Sequence, residues 1–423
     1  MRSSKSEIAK ALTRLDDALA NCMKCGFCKA ACPLFVGEET TSPRAKIRLA
    51  RAVARGELDI SPAFRQQMER CLNCRACAEE CPSGVEPNRI ALAARCAFVD
   101  SDGLPLIERA IFGGGLKHPR AMALGMRLLG AIQHVSAIDL QNNPLRYLLP
   151  IVGIRKDKDF PTLGRPSLLS RLPEVIEPRG EARITVAYFP GCSANLVYPE
   201  IGLATVNVLS KLGARVILPH DLVCCSTPVF NSGDIKDARE LALRNIEVLS
   251  KAGAEYVVTS CGSCGLTISK EWTDLLGLIE AEPIARKVVD ICEFVARYAP
   301  DDALRPVNDE RVVTYHDSCH LRRGMGVHEA PRQLLTAVLG ERFVEMELAD
   351  RCCGGGGTFA ITHPELSQAV AETKMSCVAA SGADLIATGC PACVMQLRDS
   401  IVHRRMPQRV VHTVEIIDRA LQL

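Results

Sequence analysis

The sequence predicts an α+β protein of several domains, in which an N-terminal α-helical domain precedes two repeated α/β cysteine-rich modules. Two identically spaced cysteine runs before residue 85 mark the first domain, and strands alternating with helices and cysteines after residue 181 mark the modules. A chain of 423 residues is long enough for this arrangement, since each domain can bury its own core. We predict the domains at 1–100, 181–308 and 309–423, with a helical connecting segment and linker at 101–180.

The two N-terminal runs both read C-x2-C-x2-C-x3-C-P, and their closing prolines are Pro33 and Pro82. This is the ligand spacing of bacterial two-cluster ferredoxins, in which three thiolates of a run bind one 4Fe-4S cubane and the fourth binds the other. The proline favours an exit from the ligand loop, because its φ is fixed and it lacks an N–H. We therefore predict cluster 1 at Cys22, Cys25, Cys28 and Cys81. Cluster 2 is predicted at Cys71, Cys74, Cys77 and Cys32.

Structural zinc and disulfides are the alternatives for these runs. Zinc sites usually take two C-x-x-C pairs separated by a knuckle, so four cysteines within eleven residues favour an iron–sulfur cluster. The segment Met1–Ala20 carries charged residues and no apolar core, so we expect no signal peptide and a cytoplasmic protein. In a reducing compartment, 21 cysteines indicate metal or redox centres rather than disulfides. A colourless zinc scaffold is the non-redox alternative.

Membrane and nucleic-acid functions receive little support from composition. The apolar stretches Ala121–Ile132 and Tyr147–Ile154 are too short to span a bilayer. Peripheral association with the inner face of the cytoplasmic membrane is the membrane-related alternative. The net charge of +2 argues against nucleic acid as the main partner.

Helical periodicity organises the first domain around the cysteine runs. The spacing predicts helices at Pro43–Val53, with arginine and lysine on the face opposite the apolar residues, at Ala63–Glu69 and at Asn88–Val99. Cys96 lies outside both runs and is interpreted as a small core residue. Prolines and glycines divide residues 101–180 into short amphipathic helices that suit core or partner packing, followed by a charged, proline-rich linker at Arg155–Gly180.

An internal repeat organises the rest of the chain. Strands are predicted at Ile184–Phe189, Arg215–Leu218 and Tyr256–Thr259, and again at Val312–His316, Phe343–Met346 and Leu385–Thr388, with helices at Ile235–Ala252 and Glu365–Ala380. Offsets of 127, 128, 129 and 129 residues separate the matching cysteines Cys192/Cys319, Cys224/Cys352, Cys261/Cys390 and Cys264/Cys393. Alternating strands and helices predict mostly parallel sheets with the cysteine loops at the carboxyl ends of the strands.

Each module contributes one single cysteine, an adjacent pair and a C-x-x-C motif. These five thiols are more than a zinc ion or a plain cubane needs as ligands. An adjacent pair can bridge two irons, so iron–sulfur ligation is favoured over zinc. Cys377 aligns with Val248, and Cys292 aligns with Val414, so both are interpreted as core residues. A structural role is favoured over a catalytic one for His316 and His320, and we assign no catalytic residue.

The pattern C…CC(G)…CxxC, present twice behind two ferredoxin runs, resembles the cysteine-rich CCG proteins. These include the glycolate oxidase iron–sulfur subunit, D-lactate dehydrogenase subunits, the anaerobic glycerol-3-phosphate dehydrogenase small subunit and heterodisulfide reductase. The runs around Cys22 and Cys71 and the segment Cys353–Leu366 look most similar to the glycolate oxidase subunit. One departure is Ser226, where the pattern has glycine after the cysteine pair.

The resemblance implies further iron–sulfur centres, one or two in number, because the modules of heterodisulfide reductase hold non-cubane 4Fe-4S clusters. By position the ligands of the first module would be Cys192, Cys224, Cys225, Cys261 and Cys264. Those of the second module would be Cys319, Cys352, Cys353, Cys390 and Cys393.

No G-x-G-x-x-G unit or P-loop is visible, since Gly354–Gly357 lacks the Lys-Ser/Thr that would follow, so we expect neither flavin nor nicotinamide on this chain. The resemblance implies an electron-transfer subunit of a flavin-dependent 2-hydroxyacid dehydrogenase. An FAD-containing partner would oxidise glycolate or D-lactate, and a quinone or another carrier would accept the electrons. The alternative is a thiol–disulfide reductase of the heterodisulfide reductase kind.

Overall fold

The computed structural model describes residues 20–135, 159, 161, 166–178, 180–300 and 302–422. The expected absence of a signal peptide, the apolar stretch Tyr147–Ile154 and much of the predicted linker therefore lie outside the described residues. Within the described ranges, every helix is too short or too polar to cross a bilayer.

The N-terminal domain is helical, with an apolar core formed by Ile47, Met68, Ile90 and Phe98. Its helices span Phe27–Ala31, Pro43–Ala54, Pro62–Glu69, Ala76–Glu79 and Pro87–Asp102. The second and third begin because Ser42 and Ser61 cap them, each hydroxyl accepting a hydrogen bond from the backbone N–H three residues on, and because proline follows each serine. Each cysteine run begins on the loop before the short first or fourth helix, has its third cysteine (Cys28 or Cys77) in that helix, and ends just after it.

A helical segment connects this domain to the first module. It comprises Leu106–Arg109, a π-helical turn at Ala110–Leu116 and the helix Pro119–Val135. Phe112 and Leu116 are buried in the core of the first module, and Lys117 Nζ lies 2.9 Å from Asp237 Oδ1. The connecting segment is therefore packed on the first module. Further along, the turn Leu168–Arg171 places Leu168 in the same module without solvent exposure.

The first module contains a five-stranded sheet in the order β1-β3-β2-β4-β5. The strands are β1 Val175–Ile176, β2 Ile184–Phe189, β3 Ala214–Ile217, β4 Tyr256–Thr259 and β5 Val288–Asp290. Short β1 is antiparallel to β3 and the other pairs are parallel, with Val186 opposite both Val216 and Tyr256. The surrounding helices are Gly191–Leu196, Pro199–Lys211, Thr227–Asn231, Ile235–Lys251, Gly262–Leu266, Trp272–Asp274, Glu282–Ala285 and Ile291–Tyr298.

The second module has a three-stranded parallel sheet over the described residues, in the order β6-β7-β8. These strands are β6 Val313–His316, β7 Leu385–Thr388 and β8 Arg409–His412. The helices are Glu329–Leu339, Phe359–Thr362, Pro364–Ala380, Pro391–Arg404 and Thr413–Ala420, with a π-helical turn at His320–Met325.

The strand predicted at Phe343–Met346 is not formed. Phe343 makes a single bridge to Val313, and Val344 N donates to Val313 O at 2.9 Å. The chain then turns away from the sheet, and Leu348 adopts φ 51°. The segment therefore pairs with β6 at one bridge and does not form a ladder of hydrogen bonds.

The two modules pack with their cysteine loops facing each other. The helix Gly262–Leu266 of the first module lies against the turn His320–Met325 of the second. A Cβ at Gly262 would lie 2.7 Å from Leu321 Cβ and 2.9 Å from its backbone nitrogen, so a glycine is needed for this approach. Gly262 N also donates to Gly389 O at 3.4 Å, which places the two C-x-x-C loops side by side.

Candidate iron–sulfur centres

The two N-terminal runs form two separate sulfur-lined cavities. One cavity, of about 20 Å³, is lined by Cys22, Cys25, Cys28 and Cys81. A second cavity of about 20 Å³ is lined by Cys32, Cys71, Cys74 and Cys77. In each cavity the fourth cysteine comes from the other run, so the structure brings together the same two sets of four that the spacing predicts.

The backbone has the same shape in both runs. Lys24 and Gly26 flank Cys25 with positive φ, and Asn73 and Arg75 flank Cys74 in the same way. Alternation between right- and left-handed conformations turns backbone N–H groups to one side, which makes a concave site for an anion. The second run receives a further backbone donor from beyond these segments, because Val85 N donates to Cys81 Sγ at 3.3 Å. This cradle fits thiolate-bound iron, whose net charge is negative.

Cations line both cavities. Arg44 lines the first cavity, where its Nη1 donates to Lys24 O at 2.8 Å. Lys46 lines the second and is 4% exposed, although helical periodicity predicts it on the solvent face. Burial lowers the pKa of Lys46, and the neighbouring Cys71 and Cys32 oppose that effect. The prediction for Lys46 was therefore wrong, because packing of the N-terminal domain encloses the cavity-facing side of this helix.

The ten module cysteines surround the space between the two modules. A cavity of about 260 Å³ is lined by nine of them, from both modules. Cys224 lies beside Cys192 at a neighbouring cavity of about 20 Å³. The single cysteines and C-x-x-C motifs follow β2, β4, β6 and β7, and the adjacent pairs lie on loops. The carboxyl-end position expected of a parallel sheet is the one observed.

These thiols form a continuous series of side-chain contacts. Cys225 contacts Cys224 and Cys264, and Cys353 makes the equivalent contacts with Cys352 and Cys393. The single cysteines contact the adjacent pairs through Cys192–Cys224 and Cys319–Cys352. Across the module boundary, Cys261 Sγ lies 3.8 Å from Cys390 Sγ.

The series extends into the N-terminal domain. Cys74, a predicted ligand of cluster 2, contacts Cys352 of the second module. Leu72, Cys74, Cys352 and Phe359 belong to one buried apolar cluster. The ligand loop of the second run and the adjacent pair of the second module are therefore in direct contact, which no local sequence pattern indicates.

Ionisation of so many buried thiols requires positive charge. Hydrogen bonds with Cys353 and Cys390, followed by burial, raise the pKa of Cys393 well above its usual value. In the first module, hydrogen bonds with Cys225 and Cys261, followed by burial, raise the pKa of Cys264. Thiolate is the form that binds metal, and soft thiolate sets favour iron–sulfur clusters, zinc or copper. The donor chemistry thus fits bound metal.

Histidines flank the single cysteine of the second module in two different settings. His320 bridges three regions, since Nδ1 lies 3.0 Å from Ser263 Oγ and Nε2 lies 3.0 Å from Asn73 O. His316 is fully buried, and a ring nitrogen lies within 4.8 Å of the sulfurs of Cys353 and Cys393. Burial lowers the pKa of His316 to about 3, so the ring is neutral. Sequence reasoning missed both arrangements.

Charged residues attach the N-terminal domain to both modules. Arg75 Nη1 lies 2.9 Å from Glu271 Oε1 of the first module, and Arg323 Nε of the second module lies 2.6 Å from Glu79 Oε2. Half-buried Arg95 donates to Cys71 O and to Asn231 O. These contacts hold the second cysteine run against the cavity between the modules.

The remaining cysteines are buried or half-buried and belong to neither ligand set. Cys292 is fully buried and Cys377 is 8% exposed, and half-buried Cys96 packs against the core of the first module. Ser226, where the resemblance expects glycine, adopts φ 83° and is fully buried. The loop after Cys225 therefore keeps the left-handed conformation that favours glycine.

Comparison with known proteins agrees with this organisation. A family model described as a 4Fe-4S dicluster domain matches residues 18–85, and a cysteine-rich domain model matches 186–269 and 313–398. A protein of Bacillus licheniformis described as "Lactate utilization protein A" is 31% identical over 55% of this chain and 98% of its own length. This chain belongs to the CCG iron–sulfur protein family.

Other members match the chain along nearly its whole length. A "Probable glycolate oxidase iron-sulfur subunit" of Bacillus subtilis is 29% identical over 96% of this chain and 94% of its own length. One chain of the dihydromethanophenazine:CoB–CoM heterodisulfide reductase of Methanosarcina mazei is 28% identical over 96% of this chain and 94% of its own length. As a CCG protein, this chain is an oxidoreductase subunit that carries multiple iron–sulfur clusters.

Proposed function

We propose that this chain is the iron–sulfur electron-transfer subunit of a flavin-dependent 2-hydroxyacid dehydrogenase that oxidises glycolate or D-lactate. Its partner would be an FAD-containing dehydrogenase subunit, and its acceptor a quinone or another carrier. The ligands would be the eight N-terminal cysteines in two sets of four and the ten module cysteines in two sets of five. The protein would act in the cytoplasm or at the inner face of the cytoplasmic membrane.

The contact between Cys74 and Cys352 carries this proposal. It joins the second predicted cubane site to the second module, and Cys261–Cys390 then joins the second module to the first. Donors and acceptors in direct contact along a protein provide a route for single electrons. The names of the relatives from Bacillus supply the 2-hydroxyacid, since they refer to glycolate oxidase and lactate utilization.

The chain's residues would position and tune these sites. Iron–sulfur clusters, when bound, supply one-electron oxidation and reduction. Buried Lys46 and Arg323 place positive charge beside Cys32, Cys71 and Cys74, which favours the more negative, reduced state. Eight of the ten module cysteines are buried, and the 3.5 Å contact from Gly354 N to Cys352 Sγ adds a backbone donor.

A heterodisulfide-reductase-like activity is the second candidate. The cavity of about 260 Å³ between the modules is lined by cysteines from both sides and could admit a disulfide substrate. The relative from Methanosarcina mazei carries that activity in its name.

One experiment separates the candidates. The chain is purified without oxygen together with its native partners, and the preparation is assayed for co-eluting flavin, iron and acid-labile sulfide. Glycolate or D-lactate is then added while the visible absorbance of the clusters is followed. We expect flavin to co-elute and one of the two acids to bleach the absorbance.

Two results would contradict the first proposal. A cluster-containing preparation that neither hydroxyacid reduces, but that a disulfide reoxidises after chemical reduction, would favour the second candidate. A colourless preparation without labile sulfide would exclude both.

A further inference from the structure

The second module contains an imidazole beside its cysteines. One ring nitrogen of His316 and the sulfurs of Cys353 and Cys393 all lie within 4.8 Å of one another, and all three residues are buried. His316 is the last residue of β6, Cys353 belongs to the adjacent pair, and Cys393 ends the C-x-x-C motif. Imidazole and thiolate together are a ligand combination that iron and zinc accept.

The His316 ring lacks a hydrogen bond of good geometry among the described residues. Both Nδ1 and Nε2 are buried, the residue is 0% exposed, and the nearby backbone of Ala349 completes no such bond with either nitrogen. A buried polar group that stays unpaired destabilises the folded state. The other buried histidines differ, because His412 Nε2 lies 2.9 Å from Ser260 O, and His320 has a partner on each ring nitrogen. A partner for His316 is therefore expected within the cysteine site itself.

The internal repeat isolates this feature to one module. The offset of the single cysteines equates His316 with Phe189, and both residues end their strands, β6 and β2. Cys225 and Cys264 contact each other in the first module as Cys353 and Cys393 do in the second. The thiols are thus matched, whereas the imidazole replaces a phenyl ring. Phe189 also shows that an apolar ring can occupy this strand end, so packing alone does not require a histidine there.

We propose that His316 is a nitrogen ligand of the second module's iron centre, alongside Cys353 and Cys393. This inference rests on the proposed function, which places an iron–sulfur centre in that module. The five cysteines of the two modules are matched and the imidazole is neutral, so His316 adds a ligand without adding charge. The first module has Phe189 at this position and lacks such a ligand. The two modules therefore hold chemically different centres.

Pulsed EPR of the complete protein tests the assignment directly. The protein is produced with natural-abundance and with ¹⁵N-labelled histidine, purified without oxygen and poised where the second-module centre is paramagnetic. Subtraction of the Cys353→Ser spectrum identifies the signal of that centre. We expect a strongly coupled nitrogen in the wild type whose coupling changes with the isotope. This measurement needs no folded His316 variant.

Variants then assign the nitrogen to one residue. His316→Phe, which installs the residue of the first module, is expected to remove the coupling, whereas the buried-histidine control His412→Gln is expected to retain it. His316→Cys restores a ligand but adds a negative charge, so it is expected to keep the iron and to lower the midpoint potential of the second centre.

Two outcomes would overturn the inference in distinguishable ways. If Cys353→Ser removes iron from the protein but the wild-type centre shows no histidine coupling, His316 is not a ligand and the electron-transfer proposal stands. If Cys353→Ser and Cys393→Ser both leave iron and labile sulfide unchanged, the second module holds no centre, and the ligand set of the proposed function fails together with this inference.

Discussion

The two cysteine-rich modules share their thiols but differ in the buried polar residues around them. The contacts Cys192–Cys224 and Cys225–Cys264 recur as Cys319–Cys352 and Cys353–Cys393. At four equivalent positions the pairs are Phe189/His316, Ser226/Gly354, Asn245/Lys374 and Asp290/His412. The two modules therefore share the cysteines that could bind metal and differ in the residues around those cysteines.

The pair Asn245/Lys374 shows how one structural task is performed with different charge. Asn245 Nδ2 donates to Cys224 O, and its Oδ1 accepts from Val223 N. Lys374 Nζ donates to Ala349 O at 3.0 Å, on the loop before the cysteine pair of the second module. Burial lowers the pKa of Lys374 to about 8, and nearby Cys353 opposes this effect. Each residue fixes its loop, but only the second module gains a buried amine.

The largest expected effect comes from removing one ligand in each module. Cys225→Ser and Cys353→Ser are each expected to lower iron and acid-labile sulfide by the content of one centre, since serine is a poor substitute for thiolate. The measurement is iron and sulfide per chain after anaerobic purification. Cys292→Val is the control, because Val414 holds its position in the second module. If either variant removes the content of both modules, the modules share one centre and the comparison fails.

Asp290 predicts a pH dependence of stability for which the second module has no equivalent carboxyl, since His412 holds the matching position. Burial raises the pKa of Asp290 from 3.8 to about 7, although its Oδ1 accepts from Cys292 N at 2.8 Å. Between about pH 4 and pH 7 the unfolded chain loses this proton first, so the free energy of unfolding falls as pH rises, by up to about 4 kcal/mol. Asp290→Asn keeps the acceptor and removes this loss.

We therefore expect the melting temperature of Asp290→Asn, relative to wild type, to be higher at pH 8 than at pH 5. Thermal unfolding followed by circular dichroism at both pH values measures the difference. The exposed Asp302→Asn is the control. Equal pH dependence in wild type and Asp290→Asn would show that the buried carboxyl does not govern it.

The glycine after the second cysteine pair should tolerate no side chain. Gly354 has φ +90°, and a Cβ there would lie 2.5 Å from Ser367 O. Gly354→Ala is expected to destabilise the protein by about 3 kcal/mol, because backbone strain and overpacking combine. Chemical denaturation checks the loss. Gly382→Ala is the control, since its φ of +68° is also positive but nothing lies within 4 Å of the added Cβ. An equal loss in both variants would assign the effect to φ alone.

The smallest expected effect is a gain at the equivalent residue of the first module. Ser226 has φ 83°, and its buried Oγ lacks a hydrogen-bond partner in the described part of the chain. Ser226→Gly relieves the left-handed strain and removes the unpaired hydroxyl. These two gains are expected to exceed the conformational entropy that glycine adds to the unfolded chain, so the free energy of unfolding should rise by about 1 kcal/mol. A lower denaturation midpoint for Ser226→Gly would mean that the hydroxyl contributes to the site.

Residue spacing determined much of this protein without its structure. The two C-x2-C-x2-C-x3-C-P runs indicate two four-cysteine sets with an exchanged fourth member, and the sets line two separate cavities. The repeat offsets identify the ten module cysteines, and the valines that replace Cys292 and Cys377 separate those residues from the sets. Such inferences succeed because ligand loops and strand–helix units are local and recur within one chain.

Only the tertiary structure decided how these sites meet. The contact of Cys74 with Cys352, the burial of Lys46 and the position of His316 beside Cys353 and Cys393 depend on packing between segments far apart in the sequence. The missing strand at Phe343–Met346 has the same origin, because a ladder needs a neighbour along its whole length and the chain turns away after one bridge. Local periodicity fixes which face of an element is apolar, but long-range packing decides what that face contacts.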